Sequence, residues 1–364
     1  MGNPLAGRRW LSLWPPVPPS ALLGRPSVDP PFPLPDAGFR FYAKARHGLF
    51  DGARALGLGP EDAVLAPAYH HGSEIESLAR TGADIVFYGC DESLEPDPAE
   101  LDGLITPSVR VLYLIHYLGF MQDVRRWRAW CDERGLLLFE DVAQAWLSTR
   151  DGHHAGSLGD LSIFCFYKTL GLGQPGGLLC SSPPPGPHGA PVSVIRAMAR
   201  SEMNWLCQRF DVVRLAGLRR PREEIPDRDT EFALGDPDRR PSRIAVRLPW
   251  RSEETAIRER RRANYAALLR ELAEHVPPPF RVLDGGASPL QFPILARDRR
   301  GLVERLASNG VEAGEAWPMR HPLVEPERFP STEALRHSVV GLPVHQQLRE
   351  GDLEHILAAA RRAL

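Results

Sequence analysis

Short apolar runs alternate with amphipathic segments through the first half of the chain. We predict strands at residues 63–67, 84–89, 110–116, 136–141, 161–166 and 177–182. Periodic apolar positions predict helices in FYAKARHGLFDGARALGLGPED (41–62, ended by Gly57), in SEIESLARTG (73–82, capped by Ser73) and in DVRRWRAWCDERG (123–135). Strands that alternate with helices at this spacing predict an α/β fold, with a mostly parallel sheet and helices on both faces.

The second half of the chain has a different pattern. Clusters of proline and arginine at about 183–245 surround one helical stretch, 192–216, and predict a long excursion from the main domain. A long helix from residue 252 and a strand at 290–296 begin a second, smaller α/β unit. We therefore divide the chain into a proline-rich, irregular N-terminal segment (1–38) that wraps a surface or a partner subunit, a large domain (39–250) and a small C-terminal domain (251–364).

Composition argues against several classes of function and adds little to the prediction of the fold. The formal net charge is −2, so the overall charge does not indicate nucleic acid or an acidic membrane surface as a partner. The five cysteines form no Cys-x-x-Cys pair, which argues against a zinc knuckle or a disulfide framework and fits a reducing cytoplasm. The adjacent histidines at 70–71 and 153–154 lack the i, i+4 spacing of helical metal ligands, so no metal site is predicted. No apolar stretch reaches the length of about 18 residues that a membrane span needs.

Lysine is rare in this chain. Of the 44 basic residues counted as Lys plus Arg, only Lys44 and Lys168 are lysines, which leaves 42 arginines. Lys168 follows an apolar strand and precedes the glycine-rich stretch 171–177. Lysine can lose its proton and act as a nitrogen nucleophile, which arginine cannot do, so we interpret Lys168 as a candidate nucleophile.

A carboxylate and this lysine both follow predicted strands. Asp141 ends the strand LLLFED, and Lys168 comes 27 residues later, after the strand LSIFCF. Pyridoxal phosphate chemistry needs such a pair, because the lysine forms a Schiff base with the aldehyde and the carboxylate keeps the pyridine nitrogen protonated. A lysine that acts as a base needs a pKa below about 10.4, so we expect a buried pocket rich in cations around Lys168. The spacing alone also allows a helix cap at Asp141 and an ordinary loop lysine at Lys168.

The stretch HYLGFMQDVRRWRAWCDERGLLLFEDVAQAWLSTRDGHHAGSLGDLSIFCFYKTLGLGQPGG resembles the core of the DegT/DnrJ/StrS family of fold-type-I pyridoxal phosphate aminotransferases. The positions that match the family pattern are His116, Gly119, Asp123, Glu140-Asp141, Ala143-Gln144, Gly156-Ser157, Gly159-Asp160, Phe164, Phe166, Lys168 and Gly176-Gly177. The resemblance covers about residues 39–364. It implies the type I fold, with a large domain that binds the cofactor and a smaller C-terminal domain.

The resemblance also implies roles for individual residues at the cofactor ring. Lys168 would form the Schiff base and carry the proton between Cα and C4′ of the intermediates, and Asp141 would hold the pyridine nitrogen. Gln144 would contact the ring hydroxyl. His71 would stack on the ring, with Tyr69 and His70 as neighbours that could serve instead.

Further roles concern the phosphate group and the surroundings of the ring. The phosphate would sit at the start of the first helix, at Ala45 and Arg46, where helix amides and a guanidinium bind anions. Cys165 falls on the serine that contacts the phosphate in the family. His116 belongs to the cofactor site as a polar neighbour, and Lys44 is interpreted as a solvated cation or one close to the phosphate.

Three departures from the family pattern limit what can be carried over. Cys165 replaces a serine and is a weaker hydrogen-bond donor. Lys168 follows Phe164 by four residues where the family usually has six, so the lysine loop is shortened. The Asn-Tyr-Arg segment that the partner subunit supplies in sugar aminotransferases has no clear counterpart at 220–250. Some relatives carry histidine in place of the lysine and perform dehydration, and the presence of Lys168 argues against that branch.

We therefore predict a homodimeric aminotransferase that moves an amino group from an amino-acid donor to a keto or aldehyde acceptor. The family often serves the biosynthesis of amino sugars and specialised metabolites. Two alternatives stay open: decarboxylation, elimination or substitution with the same cofactor, and a non-catalytic relative that serves as a scaffold. The arginine-rich stretch 195–262 is expected to shape the acceptor pocket. Within it, the arginine cluster at 239–262 is usually explained as a solvated face, and the alternative is that it gates an anionic substrate.

Overall fold

The protein is described by a computed structural model that covers residues 10–210 and 228–364. The strands are β1 (Phe39–Tyr42), β2 (Ala63–Pro67), β3 (Asp84–Tyr88), β4 (Val109–Ile115), β5 (Leu137–Asp141), β6 (Thr149–Arg150), β7 (His153–His154), β8 (Leu161–Cys165), β9 (Gly176–Cys180), β10 (Gln291–Leu295), β11 (Gly314–Glu315) and β12 (Val339–Pro343). Seven of these described strands form the central sheet, in the order β1-β9-β8-β5-β4-β2-β3. All neighbours in it are parallel except those that involve β9.

Helices cover the central sheet and follow the chain into a second sheet. The helices of the described residues are α1 (Pro19–Leu23), α2 (Ala45–Ala55), α3 (Ser73–Ala79), α4 (Pro98–Leu104), α5 (Val124–Arg134), α6 (Phe166–Leu170), α7 (Ile195–Phe210), α8 (Arg228–Phe232), α9 (Arg243–Trp250), α10 (Glu254–Leu272), α11 (Arg299–Ser308), α12 (Pro330–Arg336) and α13 (Glu350–Ala363). None of them is long and apolar enough to span a bilayer. The smaller antiparallel sheet has the order β10-β12-β11.

The predicted strands of the first half are present, because their sequences are suited to burial on both faces. Every residue of β2 is buried, and so is every residue of β8. Continuous apolar runs of this kind are typical of parallel sheets that carry helices on both sides. The mostly parallel α/β architecture predicted from the sequence is confirmed. The proposed domain boundaries at 38/39 and 250/251 stay predictions.

The helix predicted from residue 41 starts later than expected. Residues Phe39–Tyr42 form the edge strand β1, which pairs antiparallel with β9, and helix α2 begins at Ala45. The alternation in Phe-Arg-Phe-Tyr has the period of a strand, and pairing with β9 satisfies its backbone. The expectation that one helix covers this whole stretch is therefore wrong.

Helix ends follow the predicted signals at α5 but not at α3. Asp123 accepts a hydrogen bond from the backbone N–H of Arg126, and Gly135 ends the helix with φ at 65°. At α3 the cap is Gly72, with φ at 118°, and Ser73 is the first helical residue. The predicted cap at Ser73 is wrong because Glu74, and not Ser73, turns back to accept the N–H of His71.

The N-terminal segment contacts parts of the chain that are distant in sequence. Leu11 forms a parallel bridge with Val311, and the N–H of Leu13 donates to Oε2 of Glu312 at 3.0 Å. Further on, the N–H of Val17 donates to Oγ of Ser201 at 2.8 Å. The described part of this segment, residues 10–38, is mostly irregular, as predicted, and it packs against its own chain.

The excursion predicted after residue 183 returns to the large sheet. Helix α7 lies inside the predicted stretch 192–216, whose end falls outside the described residues. Helix α8 packs against α3, so the chain comes back over the carboxyl edge of the central sheet.

Candidate functional site

The carboxyl edge of the central sheet gathers the candidate residues. Asp141 is the last residue of β5 and pairs in register with Ile163 of the adjacent parallel strand β8. Helix α6 follows β8 directly and carries Lys168. Parallel neighbours end at the same edge, so the topology brings these two residues together, and each shifts the pKa of the other.

Asp141 is buried and both of its carboxylate oxygens are hydrogen-bonded. The phenol of Tyr113 donates to Oδ2 at 2.6 Å, and the backbone N–H of Ala143 donates to Oδ1 at 2.8 Å. Burial, followed by the charge of Glu74, raises the pKa of Asp141, while Tyr113 and Lys168 act in the opposite direction. The net direction of the pKa shift is upward.

Lys168 is half-buried, and its ammonium makes no hydrogen bond or ion pair with the residues that the structure describes. Burial lowers the pKa of this group, but the neighbouring acidic groups of Tyr167, Cys165, Asp141 and Glu74 outweigh it, and the pKa lies above the ordinary lysine value. The expectation of a cation-rich pocket that lowers this pKa is therefore wrong for the protein without cofactor.

The segment after Lys168 is fixed from two sides. Helix α6 ends at Gly171, whose φ is 80°, and a Cβ at this position would lie 1.8 Å from the carbonyl oxygen of Pro15. The carbonyl of Thr169 accepts hydrogen bonds from Nη2 of Arg261 at 3.3 Å and from Nε2 of Gln346 at 2.9 Å. Both donors come from beyond residue 250, so that part of the chain helps to position the lysine.

Gln144 and Cys165 lie between these two residues along the chain, three positions after Asp141 and three positions before Lys168. Oε1 of Gln144 accepts the N–H of Leu118 at 2.9 Å, so the side chain is oriented and its amide hydrogens are left for another partner. Cys165 ends β8 and is buried, and burial raises the pKa of its thiol to about 11. The thiol is therefore neutral near pH 7 and offers only a weak donor.

The start of α2 is the candidate phosphate position. Gly176 on β9 comes so close that a Cβ there would lie 2.1 Å from the backbone nitrogen of Ala45. Lys44 occupies the cap position without a side-chain cap bond. Nη1 of Arg46 donates to the carbonyl of Glu231 at 2.6 Å and to that of Ala233 at 2.9 Å. The expected bidentate contact from Arg46 is not supported, because one of its two terminal nitrogens is already engaged.

His71 is the partly exposed member of the three candidate ring-stacking residues. Its Nε2 lies 3.4 Å from a carboxylate oxygen of Glu231, and the ring of Phe232 meets it edge-on at 6.1 Å. Tyr69 packs instead against Tyr117 and Trp317, and His70 stacks on Phe87. Both of these alternatives are buried, so His71 is the best placed of the three for a ligand.

His116 is occupied within the protein. Its ring is fully buried, Nε2 lies 2.9 Å from Oε2 of Glu140, and Nδ1 accepts the N–H of Gln122 at 3.1 Å. Glu140 also accepts backbone N–H groups from Gly156 and Gly159. The expectation that His116 contacts the cofactor is not supported, because neither ring nitrogen is available. Through Glu140 of β5, His116 links the end of β4 to the turn after β7.

Sequence reasoning missed two residues of this site. Tyr113 lies on β4 beneath Asp141, and Glu74 is a buried acid of α3 whose charge acts on Asp141 and Lys168. A tyrosine inside an otherwise apolar strand was a usable signal, since a buried phenol needs a partner. An acid in the first turn of a helix is ordinary, so no sequence pattern marks Glu74 as part of the site.

The donor set fits pyridoxal phosphate. A buried carboxylate lies near an amine that has no hydrogen-bonding partner among the described residues, and an amide with unused hydrogens is close along the chain. Gly176 has no side chain, so backbone can come close to the helix amides at the start of α2, where a Cβ would clash. Within the described residues, no group of His, Cys, Asp or Glu could hold a metal ion.

Comparison with known proteins agrees with this chemistry. The model of the DegT/DnrJ/EryC1/StrS aminotransferase family matches residues 43–184 and 245–361. A pleiotropic regulatory protein of Geobacillus stearothermophilus is 23% identical over 347 residues, which cover 88% of this chain and 86% of the relative. The dTDP-4-dehydro-2,3,6-trideoxy-D-glucose 4-aminotransferase of Saccharopolyspora spinosa is 26% identical over 87% of this chain and 82% of the relative.

A similar fold occurs among solved structures. The putative sugar aminotransferase Spr1654 from Streptococcus pneumoniae, in its PLP form, superposes with a TM-score of 0.69 at 16% identity. The match covers 98% of this chain and 100% of that one. The fold of the two chains is therefore the same over essentially their whole length.

Proposed function

The chain belongs to the DegT/DnrJ/EryC1/StrS aminotransferase family and is a pyridoxal phosphate-dependent aminotransferase, and we propose that it transfers an amino group from an amino acid to a carbonyl carbon of a keto sugar. One observation carries the assignment of its site: Lys168 and Asp141 lie at the carboxyl ends of neighbouring parallel strands, near enough to shift each other's pKa.

Lys168 and Asp141 have the central roles in this proposal. Pyridoxal phosphate, when bound, supplies an aldehyde that takes up the amino group and a ring that accepts electrons from the substrate. Nζ of Lys168 holds the cofactor and, once released, removes and returns the substrate proton. Proton transfer by a positioned side chain contributes about 10²–10⁴-fold to a rate. The carboxylate of Asp141 keeps the ring nitrogen protonated.

The remaining roles follow from which polar groups are unoccupied. The amide hydrogens of Gln144 donate to the ring hydroxyl, and the half-exposed ring of His71 covers the pyridine. The phosphate is held by the first backbone N–H groups of α2, with Lys44 as the nearby cation. Arg46 anchors the segment 231–233 instead, since its Nη1 donates to two backbone carbonyls there. Cys165 adds at most a weak bond.

A sugar acceptor and a biosynthetic role are proposed from the activities of relatives. These include the Saccharopolyspora spinosa aminotransferase described above, which is similar across most of its length. Amino-sugar or specialised-metabolite biosynthesis is the context that fits such an activity. Two arginines after residue 239 make hydrogen bonds within the fold: Arg260 donates to the carbonyl of Leu348, and Arg240 donates to that of Gly189. They give no support to an anion gate.

We further propose that the enzyme is a cytoplasmic homodimer. Helix α7 exposes 75% of Ile195 and 62% of Phe210, and exposed apolar side chains on one helix are typical of an interface. The five cysteines are all free, which fits a reducing compartment. Sedimentation equilibrium of the purified protein measures the oligomeric state directly.

Reductive trapping tests the assignment of Lys168. Borohydride treatment of cofactor-loaded protein is expected to fix one cofactor to Lys168, and peptide mapping by mass locates it. Lys44→Ala is the matched control, because Lys44 and Lys168 are the only lysines of the chain. Lys168→Ala is expected to lose the adduct and the amino form of the cofactor that amino donors produce. An adduct that persists in Lys168→Ala and disappears in Lys44→Ala would overturn the proposal.

A further inference from the structure

Tyr113 is a fully buried residue of β4 that no role in the proposed reaction uses so far. In the parallel register of β4 and β5 it pairs with Phe139, and Asp141 lies two residues further along β5. Side chains two residues apart point to the same face of a strand, so the phenol and the carboxylate share one side of the sheet. Their oxygens are 2.6 Å apart.

The direction of this hydrogen bond is fixed by the environment. Burial, and then the negative charge of Asp141, keep the pKa of Tyr113 well above its usual value. The phenol therefore keeps its proton at neutral pH and donates it to Oδ2 of Asp141. A donor to a carboxylate forms a short, charge-assisted bond, which agrees with the observed distance.

The other oxygen of Asp141 is held as well. The backbone N–H of Ala143 donates to Oδ1 at 2.8 Å, so both ends of the carboxylate are fixed before any ligand arrives. Each carboxylate oxygen can accept more than one hydrogen bond, which leaves capacity for a ring N–H. Preorganisation of this kind removes the cost of orienting the group on binding.

Glu74 acts on Asp141 in the opposite sense to Tyr113. This glutamate is 6% exposed, and its Oε1 accepts the N–H of His71 at 2.7 Å. Nearby histidines and these backbone bonds offset its burial and hold the pKa of Glu74 below its usual range, so it stays ionised. Two carboxylates in one buried region disfavour each other's charge. Without a compensating donor, Asp141 would take up a proton more readily.

We propose that Tyr113 is a positioning residue for the cofactor: its O–H orients the carboxylate of Asp141 and keeps it ionised against the charge of Glu74, so that the carboxylate can hold the ring nitrogen in its protonated form. The proposal rests on the function proposed above, in which Asp141 meets that nitrogen. The titratable groups that act on Asp141 are Tyr113 from β4, Glu74 from α3, Cys165 from β8 and Lys168 from α6.

The test measures cofactor affinity as a function of pH in Tyr113→Phe. Pyridoxal phosphate is titrated into cofactor-free protein between about pH 5 and 8, followed by visible absorbance. The dissociation constant is divided by that of the parent at each pH, which cancels the titration of the cofactor itself. Loss of the phenol is expected to raise the pKa of Asp141 by about one unit, so the ratio climbs towards about tenfold as the pH falls.

Tyr88→Phe is the matched control. Tyr88 is a buried tyrosine of β3, the edge strand beyond β2, and its O–H donates to the backbone carbonyl of Tyr113 at 3.0 Å and not to Asp141. Removal of this O–H is expected to leave a ratio that does not change with pH. A flat ratio for Tyr113→Phe as well would mean that Tyr113 only fills space, and would overturn the proposal.

Glu74→Gln supplies a second, opposite perturbation. Glutamine keeps an oxygen for the N–H of His71 but removes the charge, so the pKa of Asp141 is expected to fall and affinity to persist to lower pH. Should Tyr113→Phe not fold, a pH-independent ratio for Glu74→Gln would overturn the proposal by itself. Borohydride trapping in the parent distinguishes failure of this proposal from failure of the proposed function. If no adduct forms at Lys168, the proposed function itself is wrong.

Discussion

The close contact between Gly171 and the N-terminal segment predicts a large effect of a single methyl group. Gly171 ends α6 three residues after Lys168, with φ at 80°. In Gly171→Ala the new Cβ would lie 1.8 Å from the carbonyl oxygen of Pro15. The oxygen belongs to the backbone and the position of the Cβ is set by the backbone, so the clash cannot be relieved by a side-chain rotation. Either Pro15 or the end of α6 has to move.

The size of the effect follows from two separable costs. A residue with a side chain in the left-handed conformation costs about 1–2 kcal/mol relative to glycine. The clash requires a displacement of about 1.5 Å to restore ordinary contact, and overpacking of this kind costs about 1–3 kcal/mol more. We therefore expect Gly171→Ala to lower the free energy of unfolding by about 3 kcal/mol.

Gly135→Ala isolates the first cost. Gly135 also ends a helix in the left-handed conformation, with φ at 65°, but a Cβ there meets no heavy atom within 4 Å. This variant is expected to lose only about 1 kcal/mol. Urea unfolding of both cofactor-free variants measures the difference, and pyridoxal phosphate titration is expected to show weaker binding in Gly171→Ala alone.

Equal losses of stability in the two variants would refute this reasoning. They would mean that the N-terminal segment yields at no cost and does not hold α6. A loss confined to cofactor affinity, with unchanged unfolding, would likewise contradict a contact that stabilises the cofactor-free protein.

Two further predictions concern buried charge. Arg261 is buried and donates to Pro289, Gln346 and Thr169, so Arg261→Met is expected to lower the free energy of unfolding in urea by about 3 kcal/mol. The control Arg300→Met changes a side chain that is 67% exposed, and its free energy of unfolding is expected to stay within about 0.5 kcal/mol of the parent. Equal effects of the two substitutions would contradict this prediction. Burial lowers the pKa of His70 to about 3, so the unfolded chain binds its proton first and stability falls as the pH drops below about 6.5. His70→Phe is expected to remove about 2 kcal/mol of the stability lost between pH 7 and 5, and an unchanged loss would show that His70 is protonated in the fold.

The sheet and its carboxyl edge could be predicted from the sequence because their signals are local. The strands are apolar runs that must be covered on both faces, and Asp141 and Lys168 follow two of them. Parallel order then places both residues at one edge without further information. The family pattern added the roles of these residues and the identity of the cofactor.

The errors arose where long-range contacts decide the outcome. The predicted helix includes Phe41 and Tyr42, but pairing with β9, far along the chain, makes them part of strand β1. Arg46 is predicted to contact the phosphate with both terminal nitrogens, but the carbonyls of the segment 231–233 accept from its Nη1. His116 carried a family match, yet its two nitrogens serve Glu140 and Gln122. No local pattern reports such partners.

The N-terminal segment has a consequence for the order in which a newly made chain can mature. The hydrogen bond from Leu13 to Glu312 joins residues 299 positions apart, and His345 reaches Ser12 across 333 positions. While the ribosome is still translating, the partners of these early residues have not yet been made, and closing such long loops is slow. The loop of Lys168, which touches Pro15, Arg261 and Gln346, can therefore reach its final arrangement only when nearly all of the polypeptide has emerged.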